Sequence, residues 1–109
     1  MKLKAETKVE YVSVFKALAD ETRLKIIEIL SCGEMCACDI LEHFDITQPT
    51  LSYHMKILTE CGLVKSRKDG SWVRYSNNEE VIFSVKGFLN KITTEQETCI
   101  CKMKDTDIC

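Results

Sequence analysis

The residues best suited to chemistry in this chain are its cysteines, of which there are seven among 109 residues. Cys36 and Cys38 form a Cys-x-Cys pair, and Cys32 stands four residues before Cys36. Deprotonated thiols are soft, anionic ligands that favour soft ions. This grouping therefore predicts a thiolate site for a soft metal or metalloid ion. Three more cysteines near the end of the chain are candidate ligands for the same site or for a second ion: Cys99, Cys101 and Cys109.

The compartment decides which chemistry these thiols can do. Residues 1–6 contain no apolar leader of the kind that directs export, and no apolar run is long enough to cross a bilayer. We therefore expect a cytoplasmic protein with no membrane contact, in a reducing compartment where disulfides are disfavoured. Clustered thiols in that setting are metal ligands or redox groups more often than cross-links. Cys61 is the exception, because a lone cysteine is expected to pack as a small hydrophobe.

The elements that position the cysteines can be predicted from apolar spacing and from helix caps. Asp20, Thr47 and Asn78 each stand where a helix is expected to begin and are suitable N-caps. The expected fold is mainly α with a small β-hairpin, in one domain over 1–94 followed by a cysteine-rich tail over 95–109. The predicted helices span 11–19, 21–31, 38–44, 47–61 and 79–94, and the predicted hairpin strands span 63–68 and 72–76.

Two helices joined by a short turn and followed by a two-stranded ribbon make a winged helix-turn-helix. In that motif the helix over 47–61 is the recognition helix. The chain as a whole has a formal net charge of −2, but the segment from Lys56 to Arg74 carries +3. A local basic face of this kind favours an anionic partner, which we predict to be double-stranded DNA. The candidate DNA contacts are Gln48, Thr50, Ser52, Tyr53, His54, Lys56, Arg67, Lys68 and Arg74.

The last predicted helix has a wider apolar stripe than the end of a small domain needs. A second copy of the chain is the natural cover for such a surface. We therefore predict a homodimer joined through the first and last helices. The stripe consists of Val81, Ile82, Val85, Phe88, Leu89 and Ile92.

Three segments resemble regulators of the ArsR, or arsenic-repressor, family. Residues 17–26 read Ala-Leu-Ala-Asp-Glu-Thr-Arg-Leu-Lys-Ile and are similar to the family's opening. Residues 47–58 with the following Gly-Leu-Val resemble its recognition helix, and residues 67–75 resemble its wing. The resemblance covers roughly residues 10–94 and implies a homodimeric repressor that leaves operator DNA when an inducer binds.

Within this resemblance, residues 34–40 look like the cysteine box of the arsenic-sensing and cadmium/lead-sensing branches. The box implies trivalent arsenic or antimony as inducer, with Cd(II) or Pb(II) as the alternative. The chain departs from these branches in having no cysteine before Cys32 and in having Leu41 where some arsenic sensors have a third cysteine. Zinc sensing through the last helix is disfavoured, since neither His43 nor His54 lies there.

The expected ligands are Cys36 and Cys38, with a third thiolate from Cys32 or from the tail. On a regular helix two residues two apart point roughly 200° from each other. If both cysteines lie at a helix start, binding of one ion must distort that helix, which is also the first helix of the DNA-reading motif. The helix dipole there is expected to lower thiol pKa.

Two alternative functions of the cysteines would give different experimental results. A thiol redox switch would release DNA on oxidation. A structural zinc protein would unfold without metal, whereas a sensor folds and binds DNA in its apo form. An enzyme is not expected, because no nucleophile–base pair, phosphate loop or acid pair is found.

Overall fold

The computed structural model describes residues 9–94, and the predicted tail over 95–109 lies outside them. The fold is mainly helical with a small antiparallel sheet, as predicted. None of the helices in residues 9–94 could span a bilayer. In chain order the elements are α1 (Tyr11–Leu18), α2 (Glu21–Leu30), β1 (Met35–Cys36), α3 (Ala37–Leu41), α4 (Gln48–Glu60), β2 (Val64–Asp69), β3 (Trp72–Asn77) and α5 (Glu79–Thr93).

Three helices begin at side chains that satisfy free backbone N–H groups, as the sequence predicted. The Asp20 carboxylate accepts a hydrogen bond of 3.0 Å from the backbone N–H of Arg23. The Thr47 hydroxyl accepts one of 3.3 Å from the backbone N–H of Thr50. The Asn78 side chain caps α5 in the same way, accepting from the first turn of that helix. These local signals fix where α2, α4 and α5 start.

The sheet has three strands in the order β1-β3-β2, all antiparallel. The hairpin turns at Gly70, whose φ of 67° suits glycine. The prediction of a two-stranded ribbon was therefore incomplete, because β1 adds a third strand. This strand has only two residues, and it pairs Met35 with Tyr75 and Cys36 with Arg74. The consequence is that the cysteine box is hydrogen-bonded to the wing.

The core lies where α1, α2, α3 and α4 meet the base of the sheet. Its fully buried side chains include Val14, Ile26, Ile40, Leu51 and Leu58. Helical spacing of apolar residues in α2 predicts that Leu24 faces this core, but Leu24 is 52% exposed. The inward positions of α2 are instead Ile26, Ile29 and Leu30. Apolar residues surround much of this helix, so helical spacing alone could not select the buried face.

Replacing the cap of α2, Asp20→Ala, is expected to lower the free energy of unfolding by about 1 kcal/mol. The pKa of Asp20 is lowered, mainly by the hydrogen bond from the backbone of Arg23. A lowered carboxyl pKa stabilises the fold above the unfolded-state value, and this contribution is lost as pH falls through the folded-state pKa. Urea unfolding at neutral and acidic pH measures both effects. Asp45→Ala, at an exposed loop position, is the matched control and should leave stability within about 0.5 kcal/mol.

Candidate thiol site and nucleic-acid interface

The two cysteines of the Cys-x-Cys pair lie on different elements. Cys36 is the last residue of β1, with extended backbone angles of φ −82° and ψ 164°, and it is buried. Cys38 is the second residue of α3 and is exposed. Both cysteines stand at the start of α3, as predicted, with Cys36 as its N-cap, but the extended backbone of Cys36 means that the two residues do not share helical geometry. The pair spans the junction between the third strand of the sheet and the first helix of the helix-turn-helix.

The thiol of Cys36 is close enough to Cys38 to affect its pKa. Desolvation raises the pKa of Cys38, and the charge and hydrogen bonding of Cys36 raise it further. The expectation that a helix dipole lowers the thiol pKa was wrong for this residue, since α3 has only five residues and a second thiol stands beside it. The helical geometry that would turn the two sulfurs apart is absent, because Cys36 has an extended backbone. These two thiols can share one ion, which must displace their protons.

The other cysteines do not complete a site within the described residues. Cys32 is exposed in the turn after α2, before Gly33. Within residues 9–94 no group of three His, Cys, Asp or Glu side chains is arranged to hold a metal. Cys61 is half-buried and its thiol donates to the Leu58 carbonyl at 3.4 Å, which fits the predicted packing role. Cys99, Cys101 and Cys109 lie outside the described residues.

A row of paired residues crosses the sheet from the thiol site to the wing. Cys36 pairs with Arg74, and Arg74 pairs with Arg67 of β2. Directly opposed residues of antiparallel strands project from the same face. The pKa of Arg74 is raised mainly by its hydrogen bond to Asp69, and also by the charge of Cys36. The sheet therefore connects the buried thiol to two of the predicted DNA contacts.

Both arginines of this row are paired with carboxylates. Arg67 donates two hydrogen bonds to Glu34, of 2.7 and 2.8 Å. Arg74 donates one of 2.9 Å to Asp69. These hydrogen bonds lower the pKa of Glu34 and of Asp69. Sequence reasoning gave Glu34 no role of its own, although an acidic residue two positions before Cys36, in a chain with a basic wing, was a usable signal.

The recognition helix α4 presents the polar face that the sequence predicted. Gln48, Ser52 and Lys56 are exposed, and Tyr53 is 61% exposed. Thr50 is exposed as well, next to the cap at Thr47, whose hydroxyl donates to that of Thr50 at 2.9 Å. The opposite face packs in the core through Leu51, Met55 and Leu58. A helix with one buried and one polar face is suited to lie in a DNA groove.

His54 stands apart from the other predicted DNA contacts. It is buried, and its Nδ1 lies 3.0 Å from Nη1 of Arg23 and 4.0 Å from the Asp20 carboxylate. Arg23 also donates to the Ala17 carbonyl at 2.6 Å. This network joins α1, α2 and α4 inside the domain. We therefore omit His54 from the proposed DNA contacts and assign it to packing.

Comparison with known proteins places this architecture in a family. The profile of the bacterial regulatory proteins of the arsR family matches residues 20–66. An arsenical resistance operon repressor of Staphylococcus aureus is 47% identical over 93 residues, which are 85% of this chain and 89% of that protein. The chain belongs to the ArsR family. The predicted family resemblance is thereby confirmed.

Two further likenesses define this ArsR-family protein more closely. A homologue of a cadmium resistance transcriptional regulatory protein from Staphylococcus aureus is 37% identical over 92 residues, covering 82% of this chain and 76% of that protein. An ArsR-like transcriptional regulator from Rhodococcus has a TM-score of 0.71 and 31% identity, covering 77% of each chain. The ArsR-family protein is thus a transcriptional repressor that binds operator DNA through a winged helix-turn-helix, as predicted, and not an enzyme.

Proposed function

We propose that this repressor binds operator DNA as a homodimer in the cytoplasm and is released when Cys36 and Cys38 bind trivalent arsenic or antimony. The observation that carries the proposal is the position of these two cysteines at the junction of β1 and α3, where the strand paired with the wing meets the helix-turn-helix. The arsenical resistance repressors among its relatives support the choice of ion. The third thiolate comes from Cys32 or from the tail.

The position of the site explains how ion binding opposes DNA binding. An ion held by both thiols fixes the last residue of β1 relative to the first turn of α3. The former is hydrogen-bonded to the wing and the latter begins the helix-turn-helix. The ion needs only a higher affinity for an arrangement of these elements that does not fit DNA. Neither thiol has to contact the DNA itself.

The DNA-facing surface is formed by α4 and the wing. Its proposed contacts are all polar or basic, and all except the half-buried Arg74 are exposed. We expect Gln48 and Ser52 to read base edges and the wing cations to contact phosphates. The full set is Gln48, Thr50, Ser52, Tyr53, Lys56, Arg67, Lys68 and Arg74.

The dimer interface is proposed on α1 and α5. Tyr11 and Phe15 of α1 pack on Phe88 of α5, with ring centroids 4.8 and 6.0 Å apart. This contact joins the two helices into one surface within a subunit. Beyond it the surface leaves large apolar side chains uncovered, which a second copy would bury. They are Val12, Leu89 and Ile92.

Release of a DNA duplex that the apoprotein binds tests the function directly. Fluorescence anisotropy is followed while arsenite, antimonite, cadmium, lead and zinc are added in separate titrations. Arsenite or antimonite should release the DNA at the lowest concentration. Release by cadmium or lead alone would assign the site to those ions, which the cadmium-resistance relative makes the second candidate. Release by peroxide but by no ion would indicate a redox switch.

Lys68→Ala and Gln48→Ala are expected to weaken DNA binding in different ways. Loss of the wing lysine should lower affinity for all sequences and reduce the slope of log K against log salt by about 1. Loss of the glutamine should relax sequence preference and leave the slope unchanged. Anisotropy titrations at several salt concentrations on matched and scrambled duplexes measure both effects. Wild-type behaviour of both variants would contradict the docking surface.

Glu34→Gln is expected to strengthen DNA binding. In the free protein the Glu34 carboxylate holds Arg67 through two hydrogen bonds, so the arginine must leave it to pair with a phosphate. Removing the negative charge should raise affinity several-fold and increase the salt slope by up to about 1. Glu28→Gln removes the same charge at an exposed position of α2 and is the control. Equal effects of the two variants would show that only net charge matters.

A further inference from the structure

The tip of the wing carries a large aromatic side chain that lies outside the core. Trp72 is the first residue of β3, stands directly opposite Asp69 across the hairpin turn, and is 51% exposed. Val73 beside it is 37% exposed. Tryptophan is highly buried on average, so an indole left half in water at the end of a ribbon is suited to meet a partner.

The wing extends far enough from the domain to reach a second groove of the DNA. Strand β2 packs against α4, and its first residue, Val64, is buried, whereas every residue over 65–73 is exposed. A six-residue strand spans roughly 20 Å, and the major groove of B-DNA is about 12 Å wide. With α4 in the major groove, the tip of the wing therefore passes the phosphate backbone and arrives at the adjacent minor groove.

The charges around the tip favour the same partner. The wing over 64–77 contains four cations and one acid, which is Asp69. The Asp69 carboxylate accepts a hydrogen bond of 2.9 Å from Arg74, so a cation offsets its charge. The exposed Lys65 and Lys68 suit the phosphates that border the groove. The tip thus continues the DNA-facing surface of α4 without a break in electrostatic complementarity.

We propose that Trp72 lies in the minor groove beside the major groove read by α4, where its ring packs on deoxyribose and its Nε1–H donates to a base of an A·T pair. The proposal rests on the proposed DNA-facing surface and adds a specificity-determining residue to it. The indole is flat and apolar, with a single donor at its edge. A·T pairs present only acceptors in the minor groove, whereas G·C adds an amino donor that opposes a second donor. Trp72 therefore favours A·T pairs.

A structural role for Trp72 predicts a different salt dependence. An indole that only braced the hairpin over the Asp69–Arg74 pair would, when removed, displace the wing cations. The slope of log K against log salt would then fall, because fewer phosphates are neutralised. Loss of an apolar contact with the DNA leaves the phosphate contacts in place, so affinity falls while the slope stays the same.

Trp72→Ala is the first test, by anisotropy titrations at several salt concentrations with a duplex that the apoprotein binds. Affinity should fall about tenfold with an unchanged salt slope. Leu24→Ala removes an apolar side chain of nearly the same exposure, 52%, on α2, and should bind like wild type. A reduced slope or wild-type affinity of Trp72→Ala overturns the proposal. The proposed DNA-facing surface still stands in that case if Lys68→Ala binds more weakly.

Fluorescence of the wild-type chain tests the contact without a substitution. Trp72 is the only tryptophan of the 109 residues, so the emission excited at the indole band reports on this side chain alone. Binding of the duplex should lower severalfold the quenching of this emission by acrylamide, because the groove shields the ring. Unchanged quenching in the complex overturns the proposal.

The groove is identified with three duplexes that differ only in the base pairs flanking each half-site. The flanks are A·T, G·C or inosine·C, and the last lacks the amino group that distinguishes G·C in the minor groove. Wild type should bind the G·C duplex more weakly and the other two alike. Trp72→Phe keeps a ring but has no N–H, and should bind all three alike. Equal affinity of wild type for all three, or equal losses with G·C and inosine·C, overturns the minor-groove contact.

Discussion

Cys36→Ser is expected to abolish the response of this repressor to arsenite while leaving DNA binding intact. The variant should fold, because serine nearly matches cysteine in size and Cys36 lies in a two-residue strand held by backbone pairing. The site then retains one thiol of the Cys-x-Cys pair. Moving an equilibrium from 1:99 to 99:1 requires about 5.5 kcal/mol of preferential binding, which the remaining thiolate bonds will not provide. At least 100-fold more arsenite should be needed for half release.

Anisotropy with labelled DNA and circular dichroism are the measurements for this variant. Cys38→Ser should behave in the same way. Cys61→Ser is the matched control, because its thiol bonds only to the Leu58 carbonyl in its own helix, and it should respond like wild type. Truncation after Thr98 removes the tail cysteines together, so a weakened response would place the third thiolate there and a full response would favour Cys32. A normal response of Cys36→Ser to every thiophilic ion would refute the proposed site.

Leu89→Glu is expected to separate the dimer and thereby to weaken DNA binding by about 100-fold. Leu89 is 44% exposed on α5, on the apolar stripe that continues from the buried Val85. A carboxylate there must be buried without a partner if the dimer forms. Two linked DNA-reading domains bind far more tightly than one, by factors of 10² to 10⁴, so loss of the dimer removes that gain.

Asn90→Glu is the matched control for the dimer interface. It adds the same charge one residue further along α5, which points about 100° away around the helix axis, and its position is exposed. Sedimentation velocity should show a monomer for Leu89→Glu and a dimer for both the wild type and the control. A dimeric Leu89→Glu with normal DNA affinity would exclude this face as the interface.

The sequence predicted those features that depend on neighbouring residues. The caps at Asp20, Thr47 and Asn78 each bond to an N–H within three residues, so local chemistry was enough to find them. The buried face of α4 followed from spacing in the same way. The order of the helices and the hairpin turn at Gly70 then led to the winged helix-turn-helix.

The features that the sequence did not predict depend on distant partners. Strand β1 is too short to show the alternation of apolar and polar residues that marks a strand. It is stabilised by its pairing with β3, about 40 residues further along the chain. That pairing gives Cys36 an extended backbone in place of the helical one that the sequence suggested. His54 is hydrogen-bonded to Arg23, and Arg67 forms its ion pair with Glu34. Such contacts become visible only when the fold is assembled.

The two-residue strand β1 has a consequence for insertions and deletions in this region. Adjacent side chains of a strand point to opposite faces, so a shift of one position would exchange Cys36 with Met35 and turn the thiol away from Arg74. A single-residue insertion or deletion within the cysteine box should therefore destroy sensing. The turn at Gly70 lies outside the pairing of β1 with β3. A change in the length of that turn should leave the thiol in place.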